Sequence, residues 1–220
     1  MPSLLRPVFA SLTAGLMACS PCLAFQTPLS DESVREAYFL GQRRDEAMAA
    51  FLKKYIKFLP PAKSGPQIYS VSLLTPFALL VQYSSEQADY SAQRAALDHK
   101  SEEEAVEISI EILLTASYSG VMTKPTNPRF GSPAGLQLRS PGFWHTFKLH
   151  IFDGKEEITT EDLTGEPRYT CSDEGGCSLS GATVRVRFPA DAFTSDFATI
   201  QVIPPEGDSV SVDFDLGSLR

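Results

Sequence analysis

Residues 105–114 read Ala-Val-Glu-Ile-Ser-Ile-Glu-Ile-Leu-Leu. Val106, Ile108, Ile110, Ile112 and Leu114 fall on one side of a period of two; Glu107, Ser109, Glu111 and Leu113 fall on the other. Successive side chains of a strand point to opposite faces, so this is a strand with one apolar and one mostly polar face. A wet face suits an antiparallel sheet better than a parallel sheet buried on both sides.

The same alternation recurs towards the C-terminal end. Phe147, Leu149 and Ile151 precede an Asp153-Gly154 turn, a favoured hairpin signal. Val184, Val186 and Phe188 alternate with Thr183, Arg185 and Arg187. Ala198, Ile200 and Val202 lead into the turn Pro204-Pro205-Glu206-Gly207-Asp208, after which Val210, Val212, Phe214 and Leu216 stand opposite Ser211, Asp213 and Asp215. Short strands between Gly/Pro turns indicate a β-sandwich or barrel-like sheet. If strands 182–188 and 209–215 are neighbours, Arg185 and Arg187 face Asp213 and Asp215 across the wet side. Residues 120–142, rich in Pro and Gly, read as a long loop.

Upstream, the period lengthens. Ser30 to Leu59 reads as helix, with Ser30 as N-cap and Asp31 and Glu32 in the first turn. Met48, Phe51, Leu52, Tyr55, Ile56 and Leu59 make an apolar stripe, which predicts burial of Phe51, Leu52, Tyr55 and Ile56. Gly41 is the expected point of division or kinking, and Pro60-Pro61 the stop. Lys63 to Pro66 is a turn, and Gln67 to Leu74 a strand. Thr75-Pro76 caps and opens a helix. Phe77 to Tyr83 fits helix or buried strand, and Gln87 to Lys100 is helical. Glu102-Glu103-Glu104 reads as a solvated end. The fold class is therefore α+β: N-terminal helices packed on a mostly antiparallel β-sheet or β-sandwich-like C-terminal part. The expected division is a helical segment at 25–62 and a β-rich domain at 63–220 with a helical insertion near 76–100.

Residues 1–24 have one charge, Arg6, then the apolar stretch Pro7 to Ala18, with no acid before Asp31. This run is shorter than the roughly 20 residues of a membrane span, and a small-residue end follows. The pattern is that of a secretory signal peptide, cut after Ala24. In the alternative, Leu16-Met17-Ala18-Cys19 resembles a bacterial lipobox, with Cys19 lipidated and Met17 larger than the usual residue there. Either route implies export, periplasmic or extracellular, with membrane anchoring in the second case.

Across 220 residues, 43% are hydrophobic and 21% charged, with 27 acidic and 19 basic side chains and a net charge of −8. This is a globular composition, and its acidity disfavours nucleic acid and anionic membranes as partners. After cleavage at Ala24 two cysteines remain, Cys171 and Cys177, around the polar turn Ser172 to Gly176. In an oxidising compartment such a pair forms a disulfide closing a hairpin.

Motifs that carry chemistry are few. His99, His145 and His150 lack metal-ligand spacing, and neither HExxH nor paired CxxC occurs. Gly176-Cys177-Ser178-Leu179-Ser180 begins like a nucleophile elbow but lacks its closing Gly. Glu107 with Glu111, and Asp213 with Asp215, are same-face carboxylate pairs of the type glycosidases use. Asp213-x-Asp215-x-Gly217 is a fragment of a calcium loop without its final Glu. Trp144, the single Trp, stands beside the long loop, either as a core residue or as a stacking surface for a ligand. No motif demands a cofactor or a metal. The functional expectation is a non-catalytic binding or interaction module of the bacterial envelope, with an envelope protein or a glycan as partner. The alternatives are a hydrolase with a site assembled from distant residues, and a scaffolding lipoprotein. A groove between the helices and the sheet would favour binding; a deep polar pocket with two convergent acids or an acid–His pair would favour an enzyme.

Overall fold

A computed structural model describes residues 25–124, 135–159, 163–173 and 175–220. The leader, Cys19 and the centre of the 120–142 segment lie outside these residues.

Helix α1 (Asp31–Arg43) starts where the Ser30 Oγ accepts from the Ser33 N–H at 3.1 Å. It runs through Gly41 and ends at Arg44, whose φ of 49° is left-handed. Gly41 is thus not the break. A Cβ there would lie 2.3 Å from the Val81 carbonyl oxygen, so the glycine lets α1 cross closely over another helix. Helix α2 (Glu46–Lys53) is capped by Asp45, which accepts from the Ala47 and Met48 N–H groups. The helix expected to reach Leu59 stops here. Ile56–Phe58 forms β1, paired antiparallel with β2 (Gln67–Leu74). Edge pairing, reinforced by the Leu73 N–H donating to the Tyr55 carbonyl at 3.0 Å, overrides the local helical pattern. Of the predicted stripe only Tyr55 is buried; Phe51, Leu52 and Ile56 are half-buried.

Helix α3 (Pro76–Glu86) has Thr75 as N-cap and Pro76 in its first turn, and α4 (Ala92–Ser101) is capped by Ser91. Strand β3 (Ala105–Leu113) follows. In the described parts of the 120–142 segment, β4 (Val121–Lys124) pairs with β5 (Gly135–Leu138). After a short 3-10 turn at Phe143–Thr146 come β6 (Lys148–Asp153), β7 (Glu156–Ile158), β8 (Leu163–Cys171), β9 (Cys177–Pro189), β10 (Phe197–Ile203) and β11 (Val210–Asp215).

Two antiparallel sheets face each other, β1-β2-β3-β9-β8 and β11-β10-β6-β7. Val71, Leu73, Ile108, Ile110, Ile112, Val184 and Val186 of the first sheet share one buried core with Ile151, Ile200, Val202 and Phe214 of the second. Strands β9 and β11 belong to different sheets, so the expected ladder of Arg185 and Arg187 against Asp213 and Asp215 does not form. The polar faces of these strands point outward from opposite sides of a common core.

A second apolar cluster, including Val34, Ala37, Phe77, Val81 and Ala95, joins α1, α3 and α4 into one helical layer. Arg220 clasps this layer to the sandwich. Its carbonyl accepts from the Thr75 and Tyr55 hydroxyls, and its guanidinium lies 4.4 Å from the Phe77 ring centroid and pairs with Glu36. Burial also pushes up the pKa of the Tyr55 phenol, so it serves as a neutral hydrogen-bonding post.

Candidate ligand-binding trough

The outer face of the five-stranded sheet is assembled by register. Ser72 stands beside Ser109, which stands beside Arg185; Glu107 lies opposite Arg187, and Glu111 opposite Thr183. Each side chain lies on the face opposite the core residues because of the period of two. Helix α3 crosses one end of this polar face. The result is a trough whose larger part, about 570 Å³, lies between α3, the end of α4 and the sheet. It continues over Ser70, Ser109, Thr183 and Arg168 as a smaller depression of about 460 Å³. Gln82, Glu86, Glu107 and Arg185 border both parts.

Charge on the floor is internally matched. Arg187 Nε donates to Glu107 Oε2 at 2.7 Å, and Arg185 lies 3.8 Å from Glu107 Oε1 and 3.2 Å from Glu166. Arg168 pairs with Glu111. Both oxygens of Glu107 therefore face guanidinium groups rather than open space. The wall contributed by α3 is apolar, with Leu79, Leu80 and Tyr83. The Tyr83 ring stands edge-on to Tyr90 with centroids 4.9 Å apart. Tyr90 donates to Asp98 at 3.2 Å; burial, and then the Asp98 carboxylate, push its phenol pKa well above the usual tyrosine value.

The acidic run at 102–104 is only partly the solvated end the sequence suggested. Glu102 and Glu103 are exposed on the rim, but Glu104 accepts from Thr27 Oγ1 at 2.5 Å and from the Leu29 N–H at 2.6 Å. His99 Nε2 lies 3.2 Å from the Leu29 carbonyl oxygen and 3.4 Å from Glu104. This acid–His pair binds the 25–29 strap to the fold. No helix-period or strand-period signal links Thr27 to Glu104, so this contact was not legible.

The remaining sequence candidates are scattered. Cys171 and Cys177 are cross-strand partners at the tip of β8 and β9 and form a disulfide, as their spacing implied. Trp144 is 5% exposed in the core. A Cβ on Gly165 would lie 2.2 Å from its indole, so glycine there lets β8 pass directly over the ring, and His145 stacks nearby at 3.6 Å between centroids. Its ring is covered rather than presented. Asp213 and Asp215 sit exposed on the outer face of the four-stranded sheet, far from the trough, and Asp213 accepts from Thr199 Oγ1 at 2.6 Å. His150 pairs with Glu157 at 2.5 Å on the surface. Among the described residues no group of three or more His, Cys, Asp or Glu side chains is placed to hold a metal. No helix among them is long and apolar enough to cross a membrane. In comparisons with known proteins, the chain matches no family model and no curated sequence.

Proposed function

We propose that the chain is an exported, non-catalytic binding module of the bacterial cell envelope, and that its ligand seats in the trough between α3 and the outer face of the five-stranded sheet. The observation that carries this reading is the trough itself, where an apolar helix wall faces a polar, charge-matched floor. Ligand sites combine apolar lining with a few fixed polar groups, often between layers of a fold. The leader pattern at 1–24 and the Cys171–Cys177 bridge support export, periplasmic or extracellular. The hydrolase alternative is disfavoured by the state of the carboxylates. Glu107 and Glu111 are four residues apart on one strand, about 13 Å along the chain, and both are engaged by arginines. Glycosidase pairs stand roughly 5–9.5 Å apart with an oxygen free for the substrate.

The test is affinity capture from envelope extract with the exported protein and with Gln82→Trp, which places a bulky ring on the shared wall of the trough. A component enriched on the native protein and lost on the variant is expected. Equal recovery on both would remove the trough as the seat. Hydrolysis of model glycosides by the native protein, abolished in Glu107→Gln, would establish the enzyme instead. Mass spectrometry of the exported chain is expected to find Phe25 as the first residue; an acylated Cys19 would place the module on a membrane surface.

A further inference from the structure

The charge on the trough is unevenly balanced, and the imbalance points to a ligand class. Arg185, Arg187 and Arg168 are matched by Glu107, Glu166 and Glu111. On the rim, Glu86, Glu102 and Glu103 are exposed and form no ion pair among the described residues. The uncompensated charge of the trough is thus negative, on a chain whose net charge is already −8. An anionic ligand would be repelled; an uncharged glycan could donate hydroxyls to these carboxylates but would leave their charge unbalanced, whereas a cation offsets it. The adjoining α3 wall is apolar, and Tyr83, 44% exposed, offers a ring to a cation.

We propose that the trough takes a cationic, amphipathic peptide segment, its apolar side chains against Leu79, Leu80 and Tyr83 and its Lys or Arg side chains on the acidic rim. This rests on the trough being the ligand seat and names what fills it. Charge complementarity selects the partner and steers its approach, while apolar contact on α3 holds it.

The test uses fluorescence anisotropy with three labelled 12-residue probes of alternating Lys and Leu, Glu and Leu, or Lys and Ser. The Lys-Leu probe is expected to bind, more weakly as salt is raised, and the other two to bind at least about tenfold more weakly. Replacing Glu86, Glu102 and Glu103 together by Gln is expected to weaken the Lys-Leu probe by about tenfold. These are exposed positions, and an unchanged circular dichroism melt checks that the variant is folded. Equal binding of the Lys-Ser probe, or an unaffected triple variant, would overturn the proposal and leave only general polycation attraction. Binding of a neutral chito-oligosaccharide instead, blocked by Gln82→Trp, would overturn the peptide but keep the trough as the seat. Binding of the Lys-Leu probe unaltered by Gln82→Trp would overturn both.

Discussion

Strand β3 has two faces that are held in place by different physics. Val106, Ile108, Ile110 and Ile112 are at most 3% exposed and fill the space between the sheets. Glu107, Ser109 and Glu111 look the other way, into the trough, where Glu107 and Glu111 meet arginines from β8 and β9. The inner face is specified by volume, since a packed core penalises every lost methyl group. The outer face is specified by pairing, and pairs open to water contribute little. Neighbouring residues on one strand should therefore differ sharply in what their loss does, and the outer face is free to vary towards a ligand.

The largest expected effect tests the inner face. Ile108→Ala should destabilise the protein by about 2–5 kcal/mol in urea denaturation, through lost burial and a residual cavity. Ser109→Ala, one residue on, should change stability by less than about 0.5 kcal/mol. Similar losses at both positions would break the contrast between the faces.

A smaller effect is expected at the far edge of the outer face. Cys171–Cys177 closes a loop of sequence separation 6 at the tip of the hairpin that supplies Arg168, Arg185 and Arg187. In the chain-entropy model, bridging so short a loop stabilises by about 2 kcal/mol. Replacing both cysteines by Ser should lower stability by that amount. Hydrogen exchange should rise at the β8 and β9 tip while β3 and β10 stay protected. A loss of protection throughout would mean that the two faces are not separable.

The contrast also explains what the sequence made legible. Strands β2, β3, β10, β11 and the inner half of β9 have one apolar face, so a period of two is written in their residues. Ser30 and Thr75 act within three residues of themselves, and local spacing is enough to find such caps. Strand β8 escaped because it is an edge strand with Thr164, Glu166, Arg168 and Thr170 exposed, Tyr169 half exposed and Pro167 within it, leaving no apolar face to detect. The register was out of reach for the same reason: nothing local says that β9 lies beside β3 rather than β11. Glu107, Glu111, Arg185 and Arg187 were recognisable as outward-facing groups. Their convergence depends on the pairing of β3 with β9, which joins Glu107 to Arg187 across 80 residues of sequence and which no local window contains. Asp153, part of an evident turn signal, is in fact buried, accepting from the Thr194 and Ser195 N–H groups.

On the outer face itself, Glu107→Gln sharpens the estimate of what pairing contributes. The Glu107 side chain is 12% exposed, but that of Arg187 is 68% exposed, so water still screens the pair. We expect a loss of about 1 kcal/mol, shrinking in high salt. A loss of several kcal/mol would mean that the trough floor is a structural core in its own right.

The smallest effect concerns α2, which buries none of its own residues and borders the trough through Leu52. Phe51 and Leu52 pack half-buried against the neighbouring apolar clusters, and the first turn is held by its cap. The pKa of the Asp45 carboxyl is held below the usual 3.8, chiefly by the Met48 N–H, against opposing desolvation and with Arg43 and the Ala47 N–H adding to the lowering. A carboxyl with a lowered folded-state pKa is deprotonated more readily in the folded chain. Its contribution is therefore complete above 3.8 and disappears as pH falls through the lower folded value. On acidification through that window, Ala47 and Met48 amide signals should move and the amides of α2 should lose exchange protection, while the inner face of β3 stays protected. Asp45→Asn keeps a capping oxygen but removes the charge, so it should flatten this pH response without unfolding α2 at neutral pH. If the variant responds to acid as the native chain does, another carboxylate governs the helix. If β3 loses protection in the same window, the acid-sensitive outer layer and the acid-insensitive core are one unit.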